Sequence, residues 1–464
     1  MGAISERKIE IVRQLVEAAP DRVVGGLQQA LSETGDESAL AGVRRLVETE
    51  ARDRRLRNAI LLPIAPMCVG DGKDTNRLVF PARALACLWR GLKITAPKQV
   101  ADAAAALLDF RPSESSTEPF DSLVRLAASA IRNRQTRDFE QVIELCDEAR
   151  PNGAELFITC LDLSGVVRRT IPKLPDWTAH FGDQTTASAR LAYKDSVAIA
   201  EDAGPQFFQM LAAQLPYPWM VLRIISAVMD KPTERYLADS EMGMFGERVM
   251  HEIEEAIKSI SKLDPEAGPD EARVAGKRVE LVTFQVSEME TCIDLSREHG
   301  WGHEIAKHRK SLAGVVESHL RVAEKLTLAA MPTQSAKLAR IRRNIPRLNT
   351  MPDPVAVRKA VTFLTFAQEV RASANYGGFA AARAKMLEKL GDMLDSYVEE
   401  VLDLLRTGDA EDDAVGYAFL DTAAEVSLLV RDEKAAELVR RRCAAVRNER
   451  ENALANAMPQ AKAS

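Results

Sequence analysis

Three histidines crowd one short stretch of this chain: His299, His303 and His308, with Glu304 among them. Two imidazoles one turn apart on a helix, with a glutamate between them, form the His-Glu-x-x-His zinc pattern; the rings share a face and the carboxylate serves as base. Here the order is His303-Glu304-Ile305-Ala306-Lys307-His308, one residue too long, so the second ring turns off the face of the first. Di-iron carboxylate bundles need a glutamate three residues before a histidine, and no histidine in the chain has one. The six cysteines (Cys68, Cys87, Cys146, Cys160, Cys292, Cys443) are scattered without a CxxC pair and read as free thiols. No metal, no cofactor and no catalytic residue is expected. His308 and His319 instead fall on a heptad seam, where a polar side chain sets helix register.

The second chemical feature is electrostatic. Lys325, Lys337, Arg340, Arg342, Arg343 and Arg347 occur between Lys325 and Pro352 without an acidic residue, inside a chain of net charge −6. Guanidinium forks suit phosphates and carboxylates. Leu338, Ile341 and Ile345 suggest an amphipathic helix over 335–344, so Lys337, Arg340, Arg342, Arg343 and Arg347 are the expected partner or anion patch. Neighbouring acids such as Glu399, Glu400 or Asp403 are the internal alternative. An acidic protein is the expected partner; the overall negative charge disfavours nucleic acid.

Other motifs fail on context. Gly70-Asp71-Gly72-Lys73-Asp74-Thr75 lacks phosphate-loop spacing and a preceding strand, and Gly300-x-Gly302 sits between helices. There is no Gly-x-Ser-x-Gly elbow and no DDxxD box. Glu411-Asp412-Asp413 reads as a helix start, and Tyr217-Pro218-Trp219-Met220 as a core plug.

The elements that carry these residues are helical. Ala272, Ala275, Val279, Val282, Val286, Met289, Ile293 and Ser296 alternate spacings of three and four. Trp301, Ile305, His308, Leu312, Val315, His319, Val322, Leu326 and Ala329 do the same. Such repeats keep one seam towards a partner helix. They predict two continuous helices, Asp270–His299 and Gly302–Met331, folded as an antiparallel hairpin around the glycines at 300 and 302. Further N-terminal, proline-punctuated helices of 10–18 residues are expected, among them Pro97–Leu108, Arg137–Ala149 and Ala154–Ile171, with 172–184 a loop. No strand is expected, since no apolar run alternates with period two.

The fold expected is all-α. A bundle or irregular solenoid of short helices (1–236) precedes a long-helix antiparallel coiled-coil-like bundle (237–456, with the heptad hairpin at 270–331), and 457–464 forms a disordered tail. Aromatics are only 5% and charged residues 28% of the chain, a helix-favouring, globular balance. No apolar run reaches the roughly 20 residues of a membrane span, and Met1–Lys8 has no signal-peptide core. The reading is a cytoplasmic, bacterial-type scaffold or adaptor that binds other proteins through helical surfaces and is able to self-associate through its long helices. The rival is a helical enzyme whose pocket gathers sequence-distant residues. A cavity of convergent ionisable groups marks the second, a broad apolar surface the first.

Overall fold

The computed structural model describes residues 6–32, 40–74, 76–112, 115–179, 182–200, 202–229, 232–338 and 341–457. The side chains at 6–8, 335–338, 341–344 and 453–457 lie outside that description, as does the expected tail at 458–464. The chain forms two compact units, Met1–Arg248 with Cys292–Asp294, and Val249–Thr291 with Leu295–Ser464. Both are built of helices.

In the first unit come α1 (Glu6–Ala18), α2 (Asp21–Ser32), α3 (Ala41–Ile60), α4 (Ala82–Thr95), α5 (Pro97–Leu108), α6 (Glu118–Arg132), α7 (Arg137–Ala149) and α8 (Gly153–Thr170). Proline in the first turn starts α5 and α6, where its missing N–H costs no hydrogen bond. Helices α4 to α7 close a ring, each packed on the next and α7 back on α4. Arg90 meets Asp138 at 3.0 Å and Cys87 meets Gln141 at 3.5 Å, so α4 and α7 run antiparallel. Closure of that ring makes this stretch a bundle; in a solenoid each repeat touches only its neighbours. Helix α8 carries Phe157, Leu161, Leu163 and Val167 into the core, against α6 and α7. Next follow α9 (Leu174–Ala179), α10 (Asp183–Val197), α11 (Gly204–Gln214), α12 (Val221–Val228), α13 (Glu234–Ala238) and the start of α14 (Gly243–Ser261). Helix α9 interrupts the loop expected over 172–184. Burial of Leu174 and Trp177 supports a helix too short to stand on propensity alone.

In the second unit α14 continues from Val249 and is joined by α15 (Pro269–Cys292), α16 (Gly300–Ala330), α17 (Pro354–Glu369), α18 (Ala374–Gly377), α19 (Ala380–Thr407), α20 (Asp413–Val430) and α21 (Glu433–Ala457). Gln285 bonds Glu252 and Arg278 bonds Ser259, each at 2.9 Å, which sets α14 and α15 antiparallel. Helix α16 lies on α17, and α19 and α20 pack beside them. A Cβ at Gly276 would lie 2.3 Å from that of Glu369, so glycine is what lets α15 approach α17.

The first heptad stripe is buried from Ala272 through Met289 and on to Ile293. The second drifts. Ile305 and Leu312 are buried as expected, but beyond them Val316, Leu320, Ala323, Thr327 and Ala330 face inward, while Val315, Val322 and Leu326 are half-buried and Ala329 is exposed. A straight helix repeats at 3.6 residues per turn and slips about 20° per heptad against a strict 3.5 repeat. Packing follows the helix.

Two boundaries also differ from expectation. Helix α15 ends at Cys292, not His299, because Cys292–Asp294 pairs elsewhere in the first unit. Ser226 donates to the Cys292 carbonyl at 2.7 Å, and Asp294 bridges Thr233. The glycines stand inside α16, where a Cβ at Gly302 would come within 2.0 Å of the Ser296 carbonyl.

The expected helix over 335–344 is an antiparallel hairpin of β1 (Thr333–Leu338) and β2 (Ile341–Pro346), pairing Thr333 with Pro346 and Lys337 with Arg342. Thr333, Ile341 and Ile345 are β-branched, which suits extended backbone over helix. The expectation of no strand fails here for the same reason.

Candidate functional site

The most unusual chemistry gathers where α1, α3 and α4 meet, on residues that fall in an apolar pattern. Along α3 and into the residue that follows it, Val47, Glu50, Arg54, Arg57 and Leu61 recur at spacings of three and four, a core stripe with charges at its centre. All five are buried. The guanidinium of Arg54 donates to the carbonyls of Val16 (2.9 Å), Glu17 (3.2 Å) and Ala19 (2.7 Å). These carbonyls lie in the last turn of α1 and on the residue after it; that of Val16 also accepts from Ala19 N at 3.3 Å. It also pairs with Glu50 at 3.1 Å and with Asp21, the first residue of α2, at 2.9 Å. Arg57 takes both Glu50 oxygens, at 2.9 and 3.2 Å. Arg90 pairs with Glu17 and, at 3.0 Å, with Asp138; Lys93 pairs with Asp53 at 2.5 Å. Charges survive burial only when paired and hydrogen-bonded in this way.

Burial pushes the Glu17 carboxyl above its usual range, against the pull of Arg90. It pushes the Cys87 thiol up as well, which keeps it protonated and inert. The carboxylates Glu17, Glu50 and Asp53 of the corner are thus each engaged by a cation.

A cavity of about 350 Å³ opens between the three helices, with Ile9, Arg45, Leu46, Arg57 and Trp89 in its wall. Trp89 is 1% and Arg57 3% exposed, yet Trp89 Nε1 and Arg57 Nε have no hydrogen-bond partner. Each unpaired buried donor costs about 1–3 kcal/mol. On the outer side of the same corner Ile11 and Leu15 of α1, and Val23 and Leu27 of α2, stand in i,i+4 pairs and are exposed, Leu15 by 66%. Beneath them Val16, Val24, Val47 and Ala51 form a small aliphatic core.

The sequence-derived candidates lie elsewhere. His319 is buried in the second unit. Its Nε2 lies 2.8 Å from the Ile260 carbonyl, and its ring stands edge-on to Phe363 and Phe366 at 5.4 and 5.2 Å. Burial lowers its pKa, against that hydrogen bond. His308 is half-buried and lowered likewise, with Glu304 and Glu254 opposing. His299 Nδ1 lies 3.2 Å from Ser296 Oγ, and His303 is exposed. Among the described residues, no group of three or more His, Cys, Asp or Glu side chains is placed to hold a metal ion.

Of the basic patch, Arg347 is exposed, and its N–H donates to the Pro332 carbonyl at 2.9 Å. Arg340 and the side chains of Lys337, Arg342 and Arg343 lie outside the described residues. Two of the acids suggested as internal partners have cations of their own: Glu399 pairs with Arg442 at 2.6 Å and Asp403 with Arg406 at 3.3 Å. Asp412 caps α20 by accepting from Ala414 N at 2.8 Å. Trp219 is buried, whereas Tyr217, stacked on it at 5.7 Å, is half-exposed. Among the described residues no helix is long and apolar enough to cross a membrane.

The fold is all-α, and the corner is a charged cleft open to solvent. Comparison of the chain with protein families, curated sequences and solved structures finds no match.

Proposed function

We propose that this protein is a non-enzymatic helical interaction protein, a scaffold or adaptor of the cytoplasm that binds other proteins through helix surfaces. The observation that carries this reading is the pair of outward apolar steps, Ile11 with Leu15 and Val23 with Leu27, on α1 and α2. Residues four apart on a helix present one face, and an amphipathic partner helix reads such anchors. Large apolar side chains left 40–66% exposed on two successive helices are what an interaction face looks like before its partner arrives. In the second unit, the long helices packed on the buried α15 stripe would supply a frame for presentation. The basic stretch from Lys337 to Arg347 adds a second contact of opposite character, suited to an acidic protein surface.

The test is cross-linking and mass spectrometry on the full chain in its native lysate, together with sedimentation of the purified protein to detect self-association. Leu15→Glu with Leu27→Glu is expected to remove the protein cross-links without changing the melting temperature. Reversal of Arg340, Arg343 and Arg347 to glutamate is expected to remove an acidic partner at low salt. Unchanged cross-links in both variants would discard the reading.

A further inference from the structure

A cavity of about 700 Å³ lies within the first unit, between α10, α11, α12 and α13. Phe208 and Ile225, both buried, close it from beneath, and Tyr193, Tyr236, Met229 and Met242 stand around it. Tyr193 stacks on Phe208, with ring centroids 5.5 Å apart and planes 19° from parallel. It meets Met242 over Gly204, where a Cβ would lie 3.1 Å from both the tyrosine oxygen and the methionine methyl. These walls are open to a guest: Tyr193, Met229 and Met242 are half-buried, and Tyr236 is 67% exposed. The volume lies in the range of small-molecule sites.

The charge of this cavity has one sign. Asp239 and Glu241 line it, and among the described residues no cation does. Asp239 meets Arg235 at 3.9 Å with both side chains largely in water, a pair of little strength. Glu241 is exposed and has no ion pair among the described residues. Neighbouring Arg190 is turned onto the carbonyls of Ala227 and Met229, both at 3.3 Å. Burial raises the pKa of the Tyr193 hydroxyl, and the nearby Glu241 and Tyr236 add to it. The Ser240 hydroxyl is already in use, donating to the Leu237 carbonyl at 2.7 Å and accepting from Met242 N at 3.2 Å. Aromatic rings, thioethers and an unneutralised carboxylate, with few free acceptors, suit a cation whose charge is spread over carbon.

We propose that this cavity binds a quaternary ammonium group, the trimethylammonium head of a small molecule or of a methylated lysine. The head rests against the rings of Tyr193 and Tyr236, with Glu241 as counter-charge, and the remainder of the guest lies along Met229 and Met242. Aromatic faces attract cations through the ring quadrupole, and thioethers mould to irregular apolar surfaces. A primary ammonium carries three donors that need acceptors when it leaves water, and this wall offers few. A trimethylammonium carries none. A neutral molecule of the same shape fills the space and leaves the carboxylate unanswered.

The experiment is calorimetric titration of the full-length protein at low salt with four probes. These are choline, a short peptide bearing trimethyllysine, ethanolamine, and dimethylbutanol, in which carbon replaces the charged nitrogen of choline. Choline or the peptide is expected to bind one per chain, at least about tenfold tighter than ethanolamine or dimethylbutanol. Which of the two quaternary probes binds tighter assigns the source of the head group. Tyr236→Ala, a change on an exposed side chain, is expected to weaken the tighter probe about tenfold, while Tyr236→Phe, which keeps the ring, stays within about twofold. Glu241→Gln is expected to weaken it about threefold and to flatten its salt dependence. Arg347→Gln in the other unit is expected to leave binding unaltered. Dimethylbutanol or ethanolamine binding as tightly as the quaternary probes, no saturable binding of either quaternary probe up to millimolar concentration, or full affinity in Tyr236→Ala would each overturn the proposal.

Discussion

The α1–α3–α4 corner of the first unit and the α14–α17 layer of the second both place polar side chains on a core stripe, and they treat them in opposite ways. In the layer a lone imidazole, His319, is fitted among Phe363 and Phe366 and given one carbonyl, so the stripe stays neutral and apolar. In the corner the stripe itself is ionic. Arg54 joins the end of α1 to the start of α2 through Val16, Ala19 and Asp21, a role that neither leucine nor histidine has enough donors to fill. One stripe is kept apolar, although Glu288 of α15 is buried near it; the other carries charge at its centre to hold helix ends together.

The contrast is most severely tested by Val282→Asp on the fully buried stripe of α15. It sets a charge on a fully buried apolar position, and is expected to cost about 4 kcal/mol or more in urea unfolding. A loss under about 1 kcal/mol means the layer tolerates charge as the corner does. Next is Arg54→Met, which keeps the length of the side chain and removes its donors. The expected cost is about 3 kcal/mol, because three carbonyls and Asp21 lose a partner. A neutral result makes the corner a hydrophobic junction with decorative ions.

His319→Phe is expected to cost about 0.5–1.5 kcal/mol by removing one of the two hydrogen bonds to the Ile260 carbonyl, which keeps that from Leu263 N at 3.2 Å, and it sharpens the comparison through pH. The His319 pKa is depressed below the ordinary 6.5, so its contribution is complete above that value and is lost as pH falls through the folded one. Glu17 has the reverse sign. Its raised pKa means the folded protein holds the proton more tightly, so stability gained in acid is lost as pH rises from 4.5 through the folded value. Unfolding curves across pH 4 to 7 are expected to lose the first slope in His319→Phe and the second in Glu17→Gln. Retention of either slope assigns it to another group. The smallest effect belongs to Arg347→Gln, exposed beyond the hairpin, which is expected to change stability by less than about 0.5 kcal/mol.

Much of the helical framework was legible because it rests on local rules. Arg137–Ala149 and Pro97–Leu108 begin and end where the chain's own punctuation places them, and the stripe from Ala272 to Ile293 is buried as its periodicity implies. What escaped rests on distant partners. The hairpin at 333–346 forms between prolines where a cationic, Ile-containing run also fits a helical wheel. Val316 and Leu320 replace Val315 and Val322 because helix geometry, and not heptad arithmetic, decides which side faces in. The corner was hidden in plain composition: α3 looks like a solvated, charged helix, since Glu50, Arg54 and Arg57 are counted as surface residues. The readable signal was their phase, in step with Val47 and Leu61. Their partners beyond α3, the carbonyls of Val16, Glu17 and Ala19 and the Asp21 carboxylate, come from α1, α2 and the residue between, and no spacing rule links them.

The brief return of Cys292–Asp294 to the first unit bears on how the protein is made. On the ribosome the first unit emerges early, yet the strand partner of Thr233 and the carbonyl acceptor of Ser226 are encoded after residues 249–291. At synthesis rates of about 5–20 residues per second, several seconds separate the two. During that interval the α12–α13 region waits for its last stitch while α14 and α15 are already being delivered. Completion of the N-terminal unit is thus timed by translation of the next one, and a chain truncated before Asp294 is born with an unfinished seam.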